Sequence, residues 1–424
     1  MQVISVKNAK MSVFFLHMSK KSSTFAGGIV ESDFIMKRIA IFVTCAVLLL
    51  CSACTQKSAH SLTDNPAFAA ADSLIEAAIA EGVVPGAVLC VVQGDEMIYN
   101  KAYGCRQVYP TKEEMTANTI FDLASVSKVV GTGMTAMSFV DEGLLDLDAK
   151  VSAYLPEFEG EATVRDVMTH VSGLPPYAQW KILLADHPDA TKAEKRQILL
   201  DHICHCPRHS EPRTKYVYSC LNFITMQYIM ETISGKPLDE LAQARVFGPL
   251  QMVNTGYNPG PQELVAPTEI QPDSTCLRGV VHDPLARIMN SGVSGNAGVF
   301  APTEDLAKLV IWMFKTLDGK KVKHAPFSRE TLQTMITVPE GYEDFYRTPA
   351  WGVWEDFLPE DFETRLDPKS VYHTGYTGTF LVVDPEHRIA VILLAHRVHP
   401  HDVGAANPLR RSVTEAVAAS LIKN

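Results

Sequence analysis

Two strand pairs near opposite ends of the chain set what it can fold into. At the front, Ala87-Val88-Leu89-Cys90-Val91-Val92 is an unbroken apolar run, and Gln93-Gly94-Asp95-Glu96 turns it into a second strand over 97–104. With no room for a crossover between them, the two strands must pair as an antiparallel hairpin. At the rear, residues 372–383 read as one strand, which turns at Asp384-Pro385-Glu386-His387 and returns through 388–394. An amphipathic helix over 68–80, apolar at Phe68, Ala71, Leu74, Ile75, Ala78 and Ile79, precedes the first hairpin, and a helix over 408–422 follows the second. Helical patterns fill most of the middle. Strands at both ends with helices between them predict one α+β domain, its sheet closed by both ends of the chain.

Composition narrows the function. Of 424 residues, 46% are hydrophobic and 20% charged, enough for a sizeable core. A formal net charge of -10 leaves no basic stripe to neutralise phosphates, so no nucleic-acid partner is expected. Of the nine cysteines, Cys90, Cys105, Cys204, Cys206, Cys220 and Cys276 lack the spacing of a disulfide scaffold and are expected to be mostly buried free thiols.

Met36-Lys37-Arg38 followed by an apolar run over 39–50 has the anatomy of a signal peptide and is too short for a membrane span. It ends in Cys51-Ser52-Ala53-Cys54, which resembles a bacterial lipobox. The organisation expected is an upstream extension over 1–35 before a true start at Met36, and a signal peptide over 36–53. A tether over 54–67 and a single domain over 68–424 follow. Lipidation of Cys54 would make a lipid anchor the protein's sole membrane contact, in the cell envelope; cleavage after Ala53 would instead release it.

The candidate chemistry begins at Phe121-Asp122-Leu123-Ala124-Ser125-Val126-Ser127-Lys128. A serine three residues before a lysine on a helix puts hydroxyl and amine on one face, one turn apart. A neutral amine could take the hydroxyl proton and leave a nucleophile. Val129, Val130, Met134, Met137 and Val140 form an apolar stripe that buries this helix, and burial is expected to lower the Lys128 pKa. Tyr218 stands just ahead of an apolar helix that Ser234-Gly235-Lys236-Pro237 closes, placed to carry a proton or simply to pack. His202, Cys204, His205, Cys206 and His209 are zinc-ligand types, but their spacing fits no common site, and no metal is expected. The glycines of 292–300 lack a phosphate-gripping lysine and are expected to serve close backbone packing.

Ser125-x-x-Lys128, Tyr218 in Tyr-Ser-Cys, and His373-Thr374-Gly375 stand in the order of the penicillin-binding and β-lactamase motifs. From about Phe68 onward the chain resembles that superfamily. It is closest to the class C branch and its related esterases, and to the serine-hydrolase domains appended to bacterial family 3 β-N-acetylglucosaminidases. The supporting stretches are Leu221-Asn222-Phe223, Val281-His282-Asp283, residues 373–379 and Arg397-Val398-His399-Pro400. The resemblance implies a β-lactamase/transpeptidase-like fold, an antiparallel sheet flanked by helices with an all-helical subdomain, and no cofactor. It implies acyl transfer: Ser125 as nucleophile, Lys128 and Tyr218 as proton relay, and the N–H groups of Ser125 and Tyr376 as oxyanion hole. His373, Thr374 and Gly375 would line the cleft. The chain departs from the pattern at Cys220, where Asn or Asp is usual, and at Asn296, where relatives often have His. Two readings follow. One is a hydrolase of small esters or D-amino-acid, peptidoglycan-type peptides; the other is a catalytically weakened peptide- or peptidoglycan-binding module of the same fold.

Overall fold

The computed structural model describes residues 62–402 and 404–423. The signal-like segment over 36–53, Cys54 and most of the tether lie outside the described residues. From its first described residues the chain is already attached to the domain: the Leu62 carbonyl accepts from Asn100 N, and the Asn65 side chain caps a short turn, Pro66–Phe68.

Helix α1 (Ala69–Ala80) leads into β1 (Gly86–Gln93) and β2 (Glu96–Gln107), the expected front hairpin. β2 pairs with a short β3 (Glu113–Glu114), and β4 (Phe121–Asp122) follows. The middle of the chain contributes α2 (Met134–Asp141), α3 (Lys192–His205), α4 (Cys220–Ser234), β5 (Gly256–Tyr257), β6 (Val299–Ala301) and α5 (Thr303–Leu317). The rear adds β7 (Gly352–Val353), β8 (Val371–Thr374), β9 (Phe380–Asp384), β10 (Ile389–Ala395) and α6 (Asn407–Leu421).

The main sheet has seven strands in the order β3-β2-β1-β10-β9-β8-β7, and β4-β6-β5 form a small second sheet. β1 pairs antiparallel with β10 from Ala87 with Ala395 to Gln93 with Ile389, so the two chain ends do meet in the middle of the sheet. Both strands read as continuous apolar runs because both their faces are covered. Ala87, Leu89, Val91, Val391 and Leu393 pack under α1 and α6, against Phe68, Ile75, Val413 and Val417. Val88, Cys90, Val92, Ile392 and Leu394 face the other way, into the large core with Leu306, Leu309, Val310 and Met313 of α5. Each such buried aliphatic contributes about 1.5–3 kcal/mol.

The rear strand signal needs correction. Residues 372–383 are not one strand but two, β8 and β9, paired His373 with Leu381 and Thr374 with Phe380 around a tight turn. Gly375 and Gly378 make the turn, Gly378 at φ 125, a conformation open to glycine. The six described cysteines are free, as expected, but only Cys90, Cys204 and Cys206 are buried; Cys105, Cys220 and Cys276 are half-buried. No helix among the described residues is long and apolar enough to cross a membrane.

One polar clamp fixes α1 to the sheet. Asp72 accepts from Tyr99 Oη and Tyr103 Oη, each at 2.6 Å, and from Lys101 Nζ at 2.7 Å. Burial pushes its pKa up, but bonds from Lys101, Tyr103 and Tyr99 outweigh it and hold the carboxyl below its ordinary range. A depressed carboxylate contributes stability above its unfolded pKa and loses it as pH falls through the folded value. Asp72→Asn should therefore cost about 1.5–3 kcal/mol at pH 7. The gap to the unmodified protein should close on acidification below about pH 4, the ordinary Asp range. Urea unfolding at both pH values checks it, and a gap independent of pH would contradict this account.

Candidate active site

Ser125 lies on a single 3₁₀ turn (Ala124–Val126) just after β4. Lys128 opens a π-helical stretch (Lys128–Gly133) that runs into α2, a wider winding than the α-helix expected and one common at functional sites. The residue before the serine, Ala124, has a left-handed φ of 46, a strain of about 1–2 kcal/mol for a residue with a Cβ. Asp122 holds it there. Its Oδ1 accepts from Ala124 N at 2.9 Å and its Oδ2 from His282 N at 2.6 Å.

Lys128 is fully buried, as its apolar helix required. Its Nζ donates to Ser125 Oγ at 3.0 Å, to the Asn296 carbonyl at 2.9 Å and to Cys220 Sγ at 3.7 Å. An ammonium has three donors, and each has an acceptor. The expected downward pKa shift is not what results. Burial pushes the lysine down, but the negative forms of Cys220 and Tyr218 pull it up, Asp283 adds to them, and the balance is upward. Lys128 is an ammonium at rest, and because it donates to Ser125 Oγ, the serine's own proton must go to another acceptor. Burial first of all raises the Cys220 pKa, and the neighbouring Lys128, next in size, works against it.

Tyr218 supplies the candidate acceptor. It immediately precedes α4, whose N-cap Ser219 accepts from Leu221 N at 3.1 Å and donates to the Pro175 carbonyl at 2.6 Å. Lys128 Nζ lies 5.1 Å from the centre of the Tyr218 ring, and the His373 ring lies 6.2 Å from it on the other wall. His373 Nδ1 donates to the Thr374 carbonyl at 2.9 Å. Burial, with Lys128 next, depresses its pKa to about 3, so the ring is neutral and its Nε2 can only accept.

The β8–β9 turn is fastened to the segment that leads into Ser125. Thr377 Oγ1 donates to the Asp122 carbonyl and Thr379 Oγ1 to the Leu123 carbonyl, both at 2.8 Å. Gly375 leaves room for this: a methyl there would stand 2.5 Å from the Leu123 carbonyl oxygen and overlap Thr379 Oγ1. Gly375 N donates to the Thr379 carbonyl and Gly378 N to the Gly375 carbonyl, while Tyr376 N has no acceptor among the described residues. The exposed Tyr376 ring stacks with His282 at 5.7 Å and with the Arg397 guanidinium at 4.5 Å, and its hydroxyl donates to Asp402 at 2.6 Å.

A cavity of about 280 Å³ opens at Ser125, lined also by Tyr218, Thr374, Tyr376, Arg397 and Arg410. Ser125, Lys128, Tyr218, Cys220, His373, Thr374, Gly375 and Tyr376 are thus brought to one place. Asp122 and Asn296 lay in stretches already noted but without a role. Arg410 went unnoticed, although Asn407 and Arg410 are an i, i+3 polar pair on a helix whose neighbours Leu409 and Val413 are apolar. It is buried, and Nη2 donates to the carbonyls of Gly375 at 2.6 Å and Thr379 at 3.0 Å. The His/Cys stretch at the end of α3 forms a helix terminus. Arg208 covers its last carbonyls, with bonds of 2.9 Å to Ile203 and to Cys204. No group of three or more His, Cys, Asp or Glu among the described residues could hold a metal ion.

A serine turn, a buried lysine bonded to it and a strand running into His-Thr-Gly have the arrangement of a serine hydrolase. The model of the Beta-lactamase family matches residues 71–415, and the chain belongs to that family. It is 30% identical over 365 residues to a Bacillus subtilis (strain 168) protein named N-acetylmuramyl-L-alanine amidase, covering 77% of this chain and 80% of that one. It is 28% identical over 349 residues to an Escherichia coli (strain K12) protein provisionally named a D-alanyl-D-alanine carboxypeptidase, covering 74% and 79%. Among solved structures, a class C beta-lactamase superposes with a TM-score of 0.65 at 19% identity, over 84% of this chain and 97% of that one. That likeness establishes the β-lactamase/transpeptidase-like fold.

Proposed function

We propose that the chain is an envelope serine hydrolase that works through an acyl-enzyme on small esters or D-amino-acid peptides of the peptidoglycan type. Peptides ending in a free carboxylate are the preferred substrates. Ser125 Oγ attacks the carbonyl carbon as its proton passes to the Tyr218 oxygen and the Tyr218 hydroxyl proton passes in the same relay to the leaving amine or alcohol. Lys128 remains an ammonium beside both oxygens, favouring the negative charge that develops on them. Ser125 N and Tyr376 N receive the carbonyl oxygen as it becomes an oxyanion. Water, activated by the same relay in reverse, then cleaves the ester and restores Ser125.

The observation that carries the substrate reading is the charge at the cavity's far end. His373 is neutral, so the wall that carries Lys in Lys-Thr-Gly relatives offers no cation here. Arg410 lines the cavity and supplies positive charge instead, while Arg397 beside it is already paired with Asp402. A carboxylate one residue past the scissile bond meets that charge, as the free C-terminus of a D-alanyl peptide would. The names of the two curated relatives support wall peptides, and the signal-like segment with Cys54 supports export and anchoring by lipid.

The test is covalent. A fluorophosphonate and a fluorescent penicillin should label the purified protein on Ser125, with no label in Ser125→Ala. A D-Ala-D-Ala peptide should be cleaved at least about tenfold faster than its C-terminal amide, the effect of about 1.4 kcal/mol from a charge-assisted contact. A folded protein with no label on Ser125 would favour the binding-module reading, in which Cys220 has left the site without turnover.

A further inference from the structure

We infer that His170, which touches neither the nucleophile nor the cavity, is the positioning residue that sets Tyr218 for proton transfer; this rests on the role proposed above for Tyr218. The segment around the tyrosine hangs on this one histidine. Val217 N donates to the His170 carbonyl at 3.0 Å, and Ser219 N donates to His170 Nδ1 at 3.1 Å. The residues on either side of Tyr218 are therefore both hydrogen-bonded to the same residue. The imidazole also packs 4.5 Å from the Tyr218 ring, tilted 34° to it, and 5.2 Å from Phe223 on the first turn of α4. Asn222 Nδ2, 3.1 Å away, gives Nδ1 a second donor, and Ser172 Oγ holds that amide by its oxygen at 2.5 Å.

Two further features show that His170 is held for this contact. Its φ is 63, left-handed backbone in a residue with a Cβ, which costs about 1–2 kcal/mol and persists only where the surroundings impose it. Its tautomer is also fixed. A backbone N–H can only donate, so Nδ1 carries the lone pair and Nε2 the proton, and Nε2 has no partner among the described residues. Burial keeps the ring neutral, so that acceptor is present across the working pH range.

The test separates the acceptor from the strain and from the ring. His170→Gly keeps the left-handed backbone free of strain but removes the acceptor; His170→Asn tolerates the same φ and places Oδ1 near where Nδ1 stood. On a short-chain ester, His170→Gly should lower kcat by about 10–100-fold with KM within about twofold, the size expected from misplacing a reacting group by an ångström. His170→Asn should recover most of that loss. Independently of turnover, tyrosine labelled with carbon-13 at Cζ should show the Tyr218 resonance, assigned by Tyr218→Phe, shifted or broadened in His170→Gly and restored in His170→Asn. An unchanged Tyr218 resonance in folded His170→Gly overturns the inference, as does a kcat equal to that of the unmodified protein. If the unmodified protein proves no faster than Ser125→Ala, the hydrolase reading fails while the resonance still decides the role of His170.

Discussion

Lys128→Met is expected to lower kcat/KM for any ester or peptide substrate by about 10³-fold while moving stability by no more than about 2 kcal/mol in either direction. The two halves of this expectation have separate causes. Methionine fills nearly the volume of the lysine stem, so no large cavity opens in a core where Lys128 is fully buried. Removing a buried cation relieves its desolvation penalty. Against that, the Asn296 carbonyl loses its donor at 2.9 Å, a cost of about 1–3 kcal/mol for a buried acceptor. Ser125 Oγ is half-buried and recovers a partner from water. The proposed chemistry has no such compensation, because among the described residues the ammonium is the only cation bonded to Ser125 Oγ. Steady-state kinetics together with urea unfolding measure both halves. A variant that keeps a tenth or more of its kcat/KM would remove Lys128 from the mechanism, and a large loss of stability alongside would recast it as a structural residue.

How much of this site was legible in the sequence depends on how local the determining physics is. Ser125 and Lys128 are three residues apart, and the apolar stripe after them already required burial. Burial of the lysine was therefore readable; its protonation was not. The Lys128 pKa is set by Cys220 and Tyr218, some ninety residues away in sequence, and that balance exists only once α4 packs against the π-helical stretch. The front hairpin was readable because Gly94-Asp95 is a two-residue turn between apolar strands. The rear one also forms where read, Asp384 pairing with Ile389, but its first strand was read too long because Gly375 and Gly378 lie inside a run rich in Thr, Tyr and Val, whose strand preference hides a turn. That turn leaves Tyr376 N without an acceptor among the described residues, so the same misreading concealed why the proposed oxyanion donor is free of backbone pairing. His170 and Arg410 were invisible for a third reason. Each acts by bonding backbone atoms remote in sequence, which no residue pattern records.

Asp122 is the clearest case of such a remote support, and its removal should be felt in both stability and rate. Its carboxylate is buried and holds two backbone N–H groups, one beside the strained Ala124 and one at His282, whose ring stacks on Tyr376. Burial raises its pKa to about 6; the His282 and Ala124 N–H groups pull it down, Asp283 raises it and Arg287 lowers it. The sign matters. A carboxyl whose folded pKa lies above its unfolded one binds its proton more tightly when folded, so stability rises as pH falls from about 6 toward 4. Its charge is thus a burden at pH 7, and its value lies in the two acceptors. Asp122→Ala should cost about 2–4 kcal/mol, from two buried donors left unpaired, and lower kcat by about 10²-fold as Ala124 relaxes and Ser125 shifts. Asp122→Asn keeps one acceptor and turns an N–H₂ toward the other donor, so it should fall between. It should also lack the gain in stability that the unmodified protein shows between pH 7 and pH 5. Urea unfolding at those two pH values, with kcat on a short-chain ester, tests all of this. A folded Asp122→Ala with unchanged kcat would show that the nucleophile turn holds its shape without Asp122.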